Sequence, residues 1–411
     1  MKCNIPLEEA QNMLLEKAIL PGESSVPLMD ALGRILSRDI IAQDNVPCFD
    51  RSPLDGYALL ANDTEGADPA TPVCLKVLEE VAAGYVASCK ITSGTAVKVM
   101  TGAPLPEGAD VVVKYEDVER KKGVVSIFKP LKSRDNVVYA GEDVKKGEVL
   151  AGRGSVVSPA FIGLLAGMGI ASVPVYHRVR VAILSTGDEL IGIDESLRPG
   201  KIYDSNRHTL QARCLELGVE PVMLGNVADR QDQVAERIQE GLKQADVVIT
   251  TGGVSVGDYD VVQDAFLEAG ADIMFWKVDI KPGSPILAAT KDQKILVGLS
   301  GSPVAAFITF ELLVIPLLKK LMGQRKYLYS RIQGTLVDGF NKSSEQRRFL
   351  RARLLEQGGS ALIRLTGIQN NSALKSMLKC NLFVDVPGGS GPLKPGDTVL
   401  AHIIGNINDI D

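Results

Sequence analysis

Between residues 180 and 318 the chain repeats one pattern. A short apolar run leads into a turn rich in glycine and hydroxyl residues, and an amphipathic stretch of about a dozen residues follows. The apolar runs at 180–184, 222–227, 246–250 and 295–299 read as strands, and the stretches at 206–217, 231–243, 260–268 and from 304 onward as helices. Strands without polar alternation must be buried on both faces, and strands alternating with helices need crossover connections. The segment is therefore predicted to form a parallel, doubly wound sheet. Pro316 falls inside the last helix and predicts a kink there.

The flanking segments have a different texture. Residues 5–45 read as a helix, a turn at Pro21 and Gly22, and a second amphipathic helix at 28–36; helix returns at 155–172. Between them, alternating runs such as 96–100 and 111–113, separated by Gly and Pro, predict an all-β insert. Runs 110–113 and 124–128 are expected to pair as a hairpin whose tip carries Arg120, Lys121, Lys122 and Gly123. After residue 326, strands are predicted at 331–336, 349–355, 362–366, 382–386 and 398–403, enough for a small barrel or sandwich. A chain of 411 residues exceeds one hydrophobic core, in keeping with several domains.

Composition excludes several functions. The net charge is −5, and no basic run is long enough to follow a phosphate backbone, which argues against a nucleic-acid binder. The first residues lack a signal-peptide core, and the longest apolar stretch, 304–318, is interrupted by Thr309, Glu311 and Pro316, too polar for a membrane span. Six cysteines at irregular spacing form no C-x-x-C pair, so the chain is expected in a reducing compartment without a zinc ribbon or a disulfide framework.

In an open α/β sheet, ligands bind beyond the carboxyl ends of the strands. Three loops leave strands there: one with Ser185, Thr186, Gly187, Asp188 and Glu189; one with Gly252, Gly253, Ser255 and Gly257; and one with Ser300, Gly301 and Pro303. Glycines let the backbone approach a phosphate closely. Asp188, Glu189, Asp229, Asp258 and Asp260 lie in or near these loops, a donor set suited to Mg²⁺, although Asp260 could equally cap a helix. Lys277, Asp279 and Lys281 share one face if 276–281 is a strand, aimed at an oxyanion or simply solvated. Arg347, Arg348 and Arg351 could form an oxyanion clamp or a solvated edge. Two further loops, 49–58 and 100–106, concentrate Asp50, Arg51, Asp55, Tyr57 and Thr101, as a site or as ordinary turn chemistry.

Taken together and in order, the segments FDRSPLDGYA (49–58), MTGAPLPEGAD (100–110), GEDV (141–144), STGDEL (185–190), IYDSNR (202–207), TTGGVSVGDYD (250–260), FWKVDIKPGSP (275–285) and GLSGSP (298–303) resemble the molybdopterin molybdenumtransferases, the MoeA family that includes the E domain of gephyrin. The resemblance implies a multidomain α/β plus β architecture. Its parts would be a split helical N-terminal domain (1–45 and 147–175), a β-rich insert domain (46–146), a central doubly wound parallel-sheet domain (176–325) and a C-terminal β-barrel (326–411). It implies a cytoplasmic homodimer whose active cleft joins the central domain of one subunit to the insert of the other. The implied reaction inserts molybdate, or tungstate, into adenylylated molybdopterin with Mg²⁺ and releases AMP and molybdenum cofactor. Molybdopterin adenylyltransferase would stand upstream and acceptor apo-molybdoenzymes downstream; a non-catalytic scaffold and an adenylyltransferase are the alternative readings.

By motif, the resemblance gives catalytic roles to Asp55, Thr101, Asp143, Lys277 and Lys281, and metal ligation to Glu189, Asp229 and Asp260. It gives binding of pterin, nucleotide or oxyanion to Thr186, Gly187, Gly252, Gly253, Ser255, Gly257, Ser300, Gly301, Pro303, Arg348 and Arg351. The chain departs from the family pattern at Leu54, Ser284, Ser300, Ser302, Ala305 and residues 370–372, most of them on the side expected to hold the oxyanion.

Overall fold

The strands Arg180–Thr186 and Val247–Thr251 are buried along their whole length except at Arg180, as continuous apolar runs in a covered sheet must be. They pair in parallel, and Lys294–Leu299 and Glu220–Val227 extend the pairing on either side, so that Val181, Val247 and Ile295 stand abreast. The computed structural model describes residues 1–254, 261–357 and 360–405.

Beyond Lys294–Leu299 the sheet continues through Ile286–Lys291, Asp272–Val278 and, at the edge, Lys2–Ile5, giving seven strands in all. Only Ile286–Lys291 runs against the others, as the hairpin partner of Lys294–Leu299. The predicted parallel sheet is thus a four-stranded parallel core with a mixed extension.

Side chains alternate across it. Val181, Ile183, Val247 and Ile249 pack with Leu210 and Cys214 of the helix Ser205–Leu217. Ala182, Leu184 and Val248 pack with Val234, Ile238 and Leu242 of Gln231–Gln244 and with Phe266 of Val262–Glu268. Asp204 caps Ser205–Leu217 by accepting from Arg207 N at 3.1 Å. The last helix runs from Pro303 to Leu321 through a π turn at Phe310–Val314. Pro316 lies in the first turn after it, and the wider turn is where the hydrogen-bond ladder adjusts to a residue without an N–H. Gln11 Nε2 donates to the Leu312 carbonyl within that turn at 2.7 Å.

Three element-level expectations change. The second N-terminal helix is absent: Glu23–Pro27 pairs antiparallel with Ser172–Tyr176, and Leu28–Ala31 makes a single 3-10 turn. Pro27 and Gly33 bracket that turn too closely for a longer helix. Strand Val111–Lys114 pairs with Gly56–Leu59, and the hairpin through Gly123 joins Val118–Lys121 to Val124–Ile127 instead. Lys277 adopts a left-handed φ of 65°, which breaks strand alternation and leaves Phe275 and Val278, three residues apart, both buried.

By internal contacts the chain forms two compact units, one of Met1–Ser37, Gly154–Ser158 and Ser172–Asp411, the other of Arg38–Arg153 and Pro159–Ala171. The second unit holds a six-stranded sheet with apolar clusters around Tyr57, Leu75 and Ile127 and around Val97, Val99 and Val112. The first unit also contains the C-terminal β-structure. There Arg347–Gln357 pairs with both Ser360–Leu365 and Leu382–Val386, and Arg331–Leu336 and Thr398–Ile403 complete a closed five-stranded ring. The two-residue strand Ile280–Lys281 runs parallel to Arg347–Gln357, so the ring grows directly from the loop that follows Asp272–Val278. No described helix is long and apolar enough to cross a membrane.

Candidate functional site

The three glycine-rich loops meet at one rim of the central sheet. Gly252 has φ +97°, and a Cβ there would fall 2.3 Å from the Thr186 carbonyl oxygen, so only glycine lets the first and second loops touch. Gly252 N donates to the Leu299 carbonyl at 3.0 Å, and Asn206 Nδ2 to the Gly301 carbonyl at 2.9 Å, tying in the third loop. Together they bound a cleft of about 450 Å³ lined by Thr186, Gly187, Glu189, Asp229, Gly253 and Ser300 among others. Asn371, from a loop of the C-terminal ring, closes it, and its carbonyl accepts from Val304 N at 3.0 Å. Gly301 lines the cleft and Pro303 begins the helix behind it.

Asp229 is the electrostatic anomaly of this cleft. Its Oδ1 is buried and meets no hydrogen-bond donor. Burial pushes its pKa above the ordinary aspartate range, and the charges of Asp188 and Glu189 push the same way. Contacts with the Asp188 backbone and the Thr186 side chain oppose the shift without cancelling it. A carboxylate oxygen left bare beside two further carboxylates is a poor arrangement by itself and a fitting one for a hard cation. No group of three metal-ligating side chains converges among the described residues, so a cation here would rest on Glu189 and Asp229 with oxygens from its substrate, the manner Mg²⁺ favours. Asp260, Ser255 and Gly257 lie outside the described residues.

The cationic residues separate into distinct roles. Lys277 places its Nζ 4.0 Å from the Trp276 ring, and Lys281 is exposed beside Arg348 in strand register; neither lysine lines the cleft. Asp279 does not join them, accepting instead from Gln346 Nε2 at 3.1 Å. Arg347 is held by Asp385, with two bonds at 2.7 and 2.6 Å, and by Glu8 at 2.6 Å. Arg351, expected in an oxyanion clamp, is wholly buried: Nε donates to Ser376 Oγ at 2.6 Å, and Nη2 to the carbonyls of Ile368 and Asn370 at 2.9 and 3.2 Å. It holds the loop that presents Asn371, and faces no open anion site. Arg348 stacks 5.3 Å from the Phe340 ring. Its Nε is buried without a hydrogen-bond partner, and burial lowers its pKa.

In the other unit, the two unusual loops 49–58 and 100–106 are zipped together. Ser52 N donates to the Ala103 carbonyl at 3.0 Å, Gly102 N to the Ser52 carbonyl at 2.8 Å, and Leu105 N to the Asp50 carbonyl at 2.8 Å. This pairing brings Thr101 onto Asp55, whose Oδ1 accepts from both Thr101 N and Thr101 Oγ1 at 2.8 Å. These bonds hold the exposed Asp55 carboxyl below its ordinary pKa. Asp143 is exposed on the turn that returns to Val46 and makes no hydrogen bond to either residue.

Sequence models of the MoeA N-terminal region (domain I and II), of a probable molybdopterin binding domain and of the MoeA C-terminal region (domain IV) match residues 5–169, 182–320 and 333–404. The molybdopterin molybdenumtransferase of Bacillus subtilis is 37% identical over 404 residues, 97% of this chain and 94% of that protein. The chain belongs to the MoeA family. A Staphylococcus aureus molybdopterin molybdenumtransferase is 36% identical over 96% of this chain and 94% of its own length. A crystal structure of a molybdopterin biosynthesis MoeA protein from Pyrococcus horikosii superposes with a TM-score of 0.87 at 33% identity, covering 98% of this chain and all of that one. The multidomain α/β architecture with a closed C-terminal barrel is therefore that of the MoeA fold.

Some cleft residues carry no sequence signal of their own. Ala305, marked in the sequence only as a departure from the family pattern, lines the cleft from a helix face that otherwise reads as plain core, and Pro285, quoted only as the end of a motif, does so from a loop. Gly283 carries one: the Pro282–Gly283 pair marks a turn, and at φ +99° a Cβ would lie 2.4 Å from Thr309 Cγ2.

Proposed function

We propose that this chain inserts molybdate, or tungstate, into adenylylated molybdopterin, releasing AMP and molybdenum cofactor. One observation carries the reading: the bare, buried Asp229 oxygen stands beside Glu189 in a cleft whose backbone is pressed together at Gly252. Glycine-rich turns of this kind admit a phosphate against the main chain. Glu189 and Asp229 would hold a Mg²⁺ ion, whose chemistry is to offset charge on the phosphate. Ser300, Gly301 and Asn371 orient the pterin adenylate, while Lys281 and Arg348, adjacent in strand register outside the cleft lining, would offer positive charge to the oxyanion. Thr101 fixes Asp55 in its ionised form, ready to accept a hydrogen bond from substrate.

We further assign a homodimer, the four-domain division given above and a cytoplasmic setting. Helix Pro159–Gly167 contains no polar side chain, and beside the buried Leu165 its Phe161, Ile162 and Leu164 are half-buried, a surface that a second copy would cover further. All six cysteines are free, as in a reducing compartment. An adenylyltransferase would feed the cleft and apo-molybdoenzymes would receive the product.

The deciding experiment incubates the purified chain with adenylylated pterin, Mg²⁺ and molybdate or tungstate and follows AMP. Release that depends on the oxyanion is expected. Binding without release would make the chain a carrier, and adenylate formed from ATP and free pterin would place it one step earlier.

A further inference from the structure

The loop that presents Asn371 to the cleft has a second side, which forms part of a separate concavity of about 530 Å³ on the C-terminal ring. Its floor and rim include Leu365, Ile368, Ala373 and Leu378, and two of these are strongly exposed: Ile368 by 69% and Leu378 by 81%. Around this apolar surface stand Arg353, Arg364 and Lys375, with no acidic side chain among its described lining residues. Arg353 and Arg364 are directly opposed across the antiparallel strands Arg347–Gln357 and Ser360–Leu365, where like charges repel.

A cationic rim around exposed leucine and isoleucine is complementary to a ligand that is anionic at its edges and apolar at its centre. We propose that this concavity docks a segment of a partner protein that presents one large apolar side chain between carboxylates. Charge complementarity selects the acidic flanks, and the exposed Ile368 and Leu378 select the apolar anchor, the combination that concentrates binding energy in a few contacts. The position gives the docking a consequence. Gly367, Ile368, Ala373 and Ser376 line the concavity, and Arg351 ties Ile368, Asn370 and Ser376 to one guanidinium. A segment seated there bears on the same loop that carries Asn371 into the cleft. The inference concerns a surface outside that cleft and does not depend on the insertion chemistry.

Fluorescence anisotropy tests it, with the full-length chain titrated into a labelled Asp-Glu-Phe-Glu-Asp peptide. Saturable binding is expected, weakened about tenfold when the peptide's Phe becomes Ser and about tenfold again by Arg364→Glu. An unchanged melting temperature for Arg364→Glu and for Leu378→Ser confirms that each variant is folded. Equal affinity for the Phe and Ser peptides would reduce the surface to a nonspecific charge effect and overturn the proposal. So would indifference to Arg364→Glu, or an absence of saturation at millimolar protein. Displacement by free phenylacetate at the peptide's own affinity would also overturn it, since the concavity would then be a small-molecule pocket.

Discussion

Two aspartates of this chain, Asp229 in the central unit and Asp55 in the β insert, are perturbed in opposite directions by opposite means. Asp229 has a buried oxygen with no donor, and its charged form is disfavoured. Asp55 is exposed, yet two donors of Thr101 favour its charged form. The first carboxylate lacks something that a ligand must supply. The second is already complete and rigid. A group whose environment is wrong in the free protein marks where binding energy is waiting to be used, and a satisfied group marks a fixed point against which substrate is positioned.

The sharpest way to break this contrast is Asp229→Asn. If Asp229 holds the proposed cation, the change is expected to lower oxyanion-dependent AMP release at least about a hundredfold. The same change should raise the melting temperature of the free protein, because it removes a carboxylate whose ionisation burial opposes. The sign follows from linkage. With its folded pKa above the unfolded one, Asp229 binds protons more tightly in the native state, so its unfavourable contribution is absent below the unfolded pKa and grows as pH rises through the folded value. The gain in stability of Asp229→Asn should therefore appear toward neutral pH and fade in acid. A variant that lost activity but was destabilised at neutral pH would show that Asp229 is a structural group.

Gly252→Ala probes the backbone on the same side of the comparison. At φ +97° and with Thr186 O at 2.3 Å from the new Cβ, the substitution is expected to cost about 2–3 kcal/mol of unfolding free energy. Because the displaced backbone borders the cleft, AMP release should fall several tens of fold, about 2 kcal/mol of transition-state stabilisation. Denaturant unfolding with an unchanged slope, together with the rate, checks both. A Gly252→Ala chain of unaltered stability would mean that the two loops are not pressed together.

How much of this is legible in the sequence divides along the same line. The four parallel strands and the helices of 180–318 are readable because buried parallel strands leave continuous apolar runs, and their observed bounds differ from the expected ones by only a few residues, whereas Asp272–Val278 and Ile286–Lys291, which make the sheet mixed, are not anticipated. The hairpin at 118–127 escapes such a reading because strand order in an antiparallel sheet is set by long-range pairing: Val111–Lys114 has the right period but finds its partner in Gly56–Leu59. Lys277 shows the same limit at the level of one residue, since a left-handed φ in a lysine has no sequence mark and shifts which side chains share a face. Loops 49–58 and 100–106 stand out by composition, but their mutual zipper does not. Nor does the burial of Arg351, which depends on carbonyls supplied by a loop seventeen to nineteen residues away.

Arg351→Lys sharpens that last point. A lysine can reach one of the three acceptors but not hold the fork, so the Asn371 loop should loosen. The expected loss is about tenfold in AMP release, with an accompanying destabilisation of about 2 kcal/mol for the broken buried network. Hydrogen exchange across 367–376 should quicken while exchange in the strand Val247–Thr251 stays slow. If the ring as a whole melted instead, Arg351 would be a foldedness determinant and not a loop anchor.

The smallest effect belongs to the complete site. Thr101→Ala removes one of two donors to Asp55 and leaves the backbone N–H, so a loss of only about fivefold in rate is expected at an exposed, solvent-screened carboxylate. The more telling measurement is the titration of Asp55 itself by carbon-detected NMR, where the midpoint should move up toward the ordinary aspartate range. Since the folded pKa is depressed, the hydrogen bonds stabilise the fold above the unfolded pKa and that contribution disappears as pH falls through the folded value. The difference in stability between the native chain and Thr101→Ala should accordingly vanish in strong acid. If it persisted there, the threonine would be acting through packing, and the contrast between an unsatisfied and a satisfied carboxylate would no longer rest on hydrogen bonding.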